Sequence, residues 1–513
     1  MQHNKVGEQN LFKPLGLFSL AFFFSLSLSA NDGTFADFKR IQTNSFQSFK
    51  DEHDEVFNKY LKKAWEAYLA QGQFSAYEEK KPRDIYPARK KQVKKQGPKI
   101  NIVLPKSTAN SIKPKELEVL NKSDQKLQPL DVQNKTIMLP VVDEQEREQK
   151  DIEFDFYGTQ VSFNLPLEME KGRFYPQSKE GIRNFHALVS NTEYENIVKL
   201  IEDLSNDLHL NDWGKYLLVN EISKAVFPMQ DEARLLSWFL FNKLGYDVKT
   251  ALAGNHVLVL FNSKKLIYST PNYKIDKKRY FLLSHYGKGS AGRVFTYKDN
   301  YPKAEKTLDL SMKELPHFKE DLQNKSLKFK VDAKNYSIEY RYNKNLIDFM
   351  GTYPQADYDT FFNTPMYAKS YEDIAKQIKK HTDGKHATEG LNFVLSFVQS
   401  AFNYEVDEKQ FGREKVMFAD ETLFFDKSDC EDRAILYSSL VKKLFKIGVV
   451  GVKYKDHMAT ALYIPINGDS VKVNSKRFVI ADPTYINASV GQSMPKYKRK
   501  RPESFIYLRQ NNS

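Results

Sequence analysis

The sequence predicts an α+β fold of two tandem modules, each a helix packed on an antiparallel sheet, preceded by a long helix and a basic linker. Three observations predict it. Short stretches within residues 155–273 return in the same order within 348–485, the mark of an internal repeat. In both copies a helix with leucines at four-residue spacing precedes short apolar strands. The composition is that of a packed chain, with 41% hydrophobic residues, 29 Tyr and 37 Phe in 513 residues, which is room for two or three domains.

Residues 1–30 read as a secretory signal peptide. Lys5 and Lys13, among mixed polar residues over Met1–Pro14, form the polar start. The uncharged run "LGLFSLAFFFSLSLSA" then spans Leu15–Ala30 and ends in small residues. That run is shorter than the roughly 20 residues a membrane-spanning helix needs. The sequence thus points to export, to the periplasm or cell envelope, with contact to a membrane only if the leader is uncleaved. Residues 31–75 are expected to form an amphipathic helix, because Phe38, Phe49, Val56, Tyr60, Ala64 and Trp65 recur on one face.

Residues 76–150 read as a Pro- and Lys-rich linker, with short apolar runs at "INIVLP" and "TIMLPVV". The net charge of +13 is concentrated here and in the tail over 491–513. Residues 80–99 hold nine Lys/Arg against one Asp, and "KYKRKR" spans Lys496–Arg501. Charge gathered in linker and tail excludes a nucleic-acid-binding face on the modules; an anionic envelope polymer is the fitting partner for the linker. A fragment starting near residue 151 is expected to fold without these segments.

The modules are placed at 151–335 and 336–490. "DFYGT" at 155–159 returns as "DFMGT" at 348–352, "SFNLPL" at 162–167 as "FFNTPM" at 361–366, and "YENIVKLI" at 194–201 as "YEDIAKQI" at 371–378. Leu236, Leu240 and Leu244 answer Leu436, Leu440 and Leu444. The alignment sets Gln230 opposite Cys430, His256 opposite His457 and Thr270 opposite Asp482. One copy therefore holds Cys, His and Asp where the other holds Gln, His and Thr, as an active module beside a degenerate one would.

Cys430 is the only cysteine, so it makes no internal disulfide and is either an inert core residue or a free thiol. It stands at a helix start, where the helix dipole favours a thiolate, with Asp429 and Glu431 opposing. His457 opens the strand "HMATALYI", and "INGDSV" at 466–471 carries an Asn-Gly hairpin signal. The chain returns as "RFVIAD", ending at Asp482. A sheet in that order sets His457 beside Asp482 and near the helix end. Cys, His and Asp so placed attack carbonyls; one Cys, one His and one Asp fall short of a zinc site, and no metal or organic cofactor is needed.

"ETLFFDKSDCEDRAILYSSLVKKL", "DHMATALYIP" and "FVIADPTY" resemble the cysteine helix, histidine strand and aspartate strand of the bacterial transglutaminase-like superfamily. The resemblance covers about 371–486, with a decayed copy over 194–273. Ser428 stands where the family usually has glycine, and Phe445 where a glycine commonly ends the helix. It implies two papain-like/transglutaminase-like modules and a cysteine peptidase or amidase, with Cys430 the nucleophile, His457 the base and acid, and Asp482 the orienting carboxylate. The implied substrate is a protein or peptide amide. Protein cross-linking and a non-catalytic envelope scaffold are the alternatives. The 25 residues between Tyr404 and Cys430, against two in the first copy, are expected to wall the cleft.

Overall fold

Each half of the described chain opens with a β-hairpin whose turn dictates its shape. Strands Gln149–Phe156 and Thr159–Pro166 are joined at Tyr157–Gly158, and strands Leu322–Val331 and Lys334–Asn343 at Asp332–Ala333. Both turn pairs have positive φ, 50° and 82° in the first, 47° and 67° in the second. Two left-handed residues match the right-handed twist of paired strands. The computed structural model describes residues 53–63, 65–74, 87–88, 95–104, 149–286 and 292–509. The described residues from Asp54 onward belong to one compact unit.

After each hairpin come helices and then a sheet. In the first half, helices Glu195–Asp207, Asp212–Val226 and Gln230–Lys243 lead into strands Val248–Ala253, His256–Asn262, Asn272–Ile275, Lys278–Phe281 and Arg293–Thr296. In the second, helices Ala368–Thr382, Ala387–Ser400 and Cys430–Phe445 lead into Val449–Tyr454, His457–Leu462, Ser470–Val473, Lys476–Ala481 and Ser504–Tyr507. All pairings in both sheets are antiparallel, and the five strands sit in the same spatial order in each. The fold is thus α+β with antiparallel sheets.

Several expectations are corrected. "DFYGT" forms the first hairpin's turn whereas "DFMGT" lies at the end of helix Lys344–Gly351; "SFNLPL" lies in a strand whereas "FFNTPM" begins in helix Tyr358–Asn363. Five or six shared letters do not fix conformation, and the hairpins are what correspond in position. The expected boundary at 335/336 falls inside strand Lys334–Asn343, and Ser504–Tyr507, in the expected tail, is an edge strand paired with Val450–Lys453. The expected helix over 31–75 lies partly outside the described residues. Its end is not helical: Glu66–Leu69 is a strand paired with Arg293–Thr296, and Gln71 bridges to Asn272. An open sheet edge offers that segment a row of backbone partners on one side, which outweighs its helical pattern. Residues 1–30, the expected signal peptide, lie outside the described residues.

The linker is partly packed structure. Ile102 is buried, Ile100 N–H donates to Lys385 O and Ala387 N–H to Pro98 O. Removing everything before residue 151 would also strip buried Phe57 and Leu61 from the first half's core. Among the described residues, no helix is long and apolar enough to cross a membrane.

Phe57 packs beside a buried histidine, and this sets a pH limit. His186 is fully buried, with Nδ1 3.0 Å from Asn58 Oδ1. Burial, then the nearby Lys243 ammonium, holds its basicity well below the ordinary value. Folding therefore favours neutral imidazole. The stabilisation is complete above the unfolded value of about 6.5 and is lost as pH falls below it, by up to about 1.4 kcal/mol per unit. His186→Gln, which takes up no proton, is expected to flatten the fall in urea-unfolding free energy between pH 6.5 and 5; an unchanged slope would refute this.

Candidate active site

The helix Cys430–Phe445 is a central one. Nearly every residue from Cys430 to Val441 is buried, so burial all round rather than one apolar stripe holds it. Each leucine such as Leu436 or Leu440 contributes about 1.5–3 kcal/mol by leaving water. Glu431 and Asp432 lie in its first turn and Lys442 and Lys443 in its last, which suits the helix dipole. Asp432 accepts the Asp429 N–H at 3.3 Å and the Met417 N–H at 2.8 Å. Lys446, at φ 53°, takes the left-handed position just past Phe445, so no glycine is needed there.

Cys430 begins this helix and is fully buried. Its thiol lies between an acceptor and a donor: Sγ is 3.2 Å from Glu431 Oε2 and 3.2 Å from the Met458 N–H. The second contact brings the nucleophile candidate to the residue adjoining His457. His457, also fully buried, opens its strand and turns to the sheet face opposite Met458, as alternation requires. Thr460 pairs with Ala481, which sets Asp482 at the neighbouring strand's end. His457 Nε2 lies 2.9 Å from Asp482 Oδ2. Asp482 Oδ1 accepts the N–H groups of Thr484 and Tyr485 at 3.0 and 3.2 Å. The three residues are thus brought to one end of one sheet.

Thr270 does not correspond to Asp482 in position. It lies before strand Asn272–Ile275 and its hydroxyl donates to Tyr268 O. In the first sheet Phe261 pairs with Phe281 as Leu462 pairs with Val479 in the second, so the register counterpart of Asp482 is Ser284. Gln230 is exposed, and His256, 76% exposed, has Nδ1 3.2 Å from Asp231 Oδ2. Asp231 also accepts the Val257 N–H at 3.0 Å, the contact that Cys430 makes with Met458 in the other half. The expected Asn-Gly turn is corrected too: the hairpin turns at Asn474–Ser475, both with positive φ. Gly468 instead lets two backbones approach, since a Cβ there would meet Gly491 Cα at 2.4 Å.

Residues that sequence reasoning missed complete the surroundings. Tyr497, from the expected basic tail, stacks on His457 with centroids 4.7 Å apart and planes 20° apart, and its hydroxyl lies 3.0 Å from Asp456 Oδ1. Burial first, then the Asp456 carboxylate, holds its phenol well above the usual value, with smaller effects of Cys430 and Asp482. Gln399 donates to the carbonyls of Asp482, Tyr485 and Ala488 at 2.8–3.1 Å and so fixes the aspartate loop. Buried Arg433 donates to Ser428 Oγ at 3.0 Å, Phe402 O at 2.9 Å and Gln399 O at 3.4 Å. An arginine on the core face of a helix is itself a visible signal, because such a residue must bring its partners inside. Tyr497 carries no comparable signal among its lysines.

The 405–429 insertion packs over the start of the Cys430 helix as two short helices, Asp407–Phe411 and Ala419–Phe424. Val416, Met417, Phe418 and Leu423 are buried, Lys415 pairs with Glu421 at 2.6 Å, and Arg413 donates to Tyr286 of the first half at 2.6 Å. The segment expected to wall a cleft is therefore packed core. Burial raises the Asp420 carboxyl to about 6 and pushes Asp432 up as well. Buried Asp407, Asp429 and Glu431 offer carboxylate oxygens within 4.8 Å of one another, a donor set suited to a hard cation.

Comparison with protein-family models, with curated proteins and with solved structures finds no match to this chain.

Proposed function

We propose that the chain is an exported thiol acyl-transfer enzyme that hydrolyses an amide bond in a protein or peptide. The reading rests on the transglutaminase-like resemblance. In it the second half is the active papain-like module and the first a degenerate copy, with Gln230, His256 and Ser284 where the other has Cys430, His457 and Asp482. The observation that carries it is the 2.9 Å contact of His457 Nε2 with Asp482 on the residue next to Met458, whose N–H meets Cys430 Sγ.

Asp482 engages Nε2, so Nδ1 is the nitrogen that would exchange a proton with the thiol. The thiolate adds to the amide carbonyl carbon, and the C–N bond breaks as His457 protonates the departing amine. Water, deprotonated by His457, then cleaves the thioester and restores the thiol. Asp482 holds the ring and balances the imidazolium. The basic segment before residue 100 would meet an anionic envelope polymer.

The complete burial of Cys430 and His457 favours one rival, a scaffold whose thiol never reacts. Mild alkylation across pH, followed by mapping of the label, separates the two. The enzyme reading expects Cys430 to be labelled in the folded chain, with half-maximal rate well below the ordinary thiol pKa of about 8.5. It also expects faster labelling in Tyr497→Ala, which uncovers the His457 ring. Labelling only on unfolding would support the scaffold.

A further inference from the structure

Away from the triad, three metal-ligating side chains converge on the surface of the first half. Helix Glu195–Asp207 ends in a turn where His209 adopts φ 51°. The carbonyl of the preceding residue, Leu208, accepts the His317 N–H at 2.9 Å, which pins the connector between the two halves beside that turn. Glu314, three residues earlier on the connector, reaches both rings. Its Oε2 lies 3.1 Å from His209 Nδ1 and its Oε1 3.5 Å from His317 Nε2. The imidazoles lie nearly face to face, with centroids 3.9 Å apart and planes 33° apart. One ligand atom from each of the three residues lies within 4.8 Å of the others.

Two nitrogens and one carboxylate oxygen form the donor set that zinc and its first-row neighbours take, whereas calcium and magnesium prefer oxygen alone. We propose that His209, Glu314 and His317 form a binding site for a divalent first-row transition metal, zinc foremost, whose remaining positions are filled by water. The side chains are 42%, 59% and 43% exposed, so the metal enters directly from solvent. Bound there, it fastens the connector to the helix end. The site does not depend on the thiol reading.

The test uses the full chain carrying Cys430→Ala, so that the one thiol cannot take the metal, stripped with a chelator and titrated with zinc at pH 7.5 by calorimetry. One zinc per chain and a rise in Tm on zinc addition are expected. Glu314→Gln is expected to weaken binding about tenfold or more, and His209→Ala with His317→Ala to abolish both the binding and the Tm response. The proposal is overturned if the parent binds no zinc, or if the double variant keeps the same stoichiometry and Tm response.

Discussion

Cys430→Ala is expected to abolish amide cleavage, and Cys430→Ser to lower kcat by about 10⁴-fold or more, while circular dichroism shows the fold unchanged. The oxygen nucleophile lacks the thiol's low proton affinity, and in this setting Glu431 already accepts the S–H. His457→Ala is expected to be nearly as damaging, because a nucleophile and its base act as one unit. For the same reason the Cys430→Ala, His457→Ala double variant is expected to be no worse than either single one. Asp482→Asn removes charge but keeps an oxygen near Nε2, so a smaller loss is expected. His256→Ala, in the first half, is expected to leave turnover unchanged. Turnover on a fluorogenic peptide library measures all six variants. Wild-type turnover in Cys430→Ser would sink the thiol mechanism, and a loss in His256→Ala matching that in His457→Ala would show the wrong half had been chosen.

Arg433→Met is expected to destabilise the chain by about 3–5 kcal/mol in urea unfolding at 25 °C. Its guanidinium is buried and donates to the carbonyls of Gln399 and Phe402, at the end of helix Ala387–Ser400, and to Ser428 Oγ just before Cys430. Methionine fills much of the volume but leaves those carbonyls buried without that donor. Arg433→Lys is expected to rescue little, since a single ammonium cannot span three acceptors that a planar fork reaches. A loss under about 1 kcal/mol would mean that water replaces the guanidinium and that the network is ornamental to folding.

The elements that carry the site were legible where local pattern and final structure obey the same rule. A helix does begin at Cys430, a strand at His457, and a strand does end just before Asp482. Periodicity exposes such elements because burial selects the face of each. The same reasoning failed at Glu66–Leu69, where an unfilled sheet edge recruited a segment with helical spacing. It failed again at Thr270, because aligning "LIYSTPNY" with "FVIADPTY" matched letters while strand register matched Ser284. The insertion could be seen as extra chain, but Lys415–Glu421 inside it is a buried pair, which charged letters alone do not announce.

The α+β pattern, the repeated helix-then-strand order and the identity of the one thiol are written in composition and in spacing along the chain. Tertiary structure alone decided that Tyr497 covers His457, that Gln399 and Arg433 hold the Asp482 loop and the segment before Cys430, and that His209 meets His317 across the connector. These contacts join residues up to 108 positions apart, as His209 and His317 are. No local periodicity encodes such pairs; they exist only once packing has brought distant segments together and burial has obliged their polar groups to find one another.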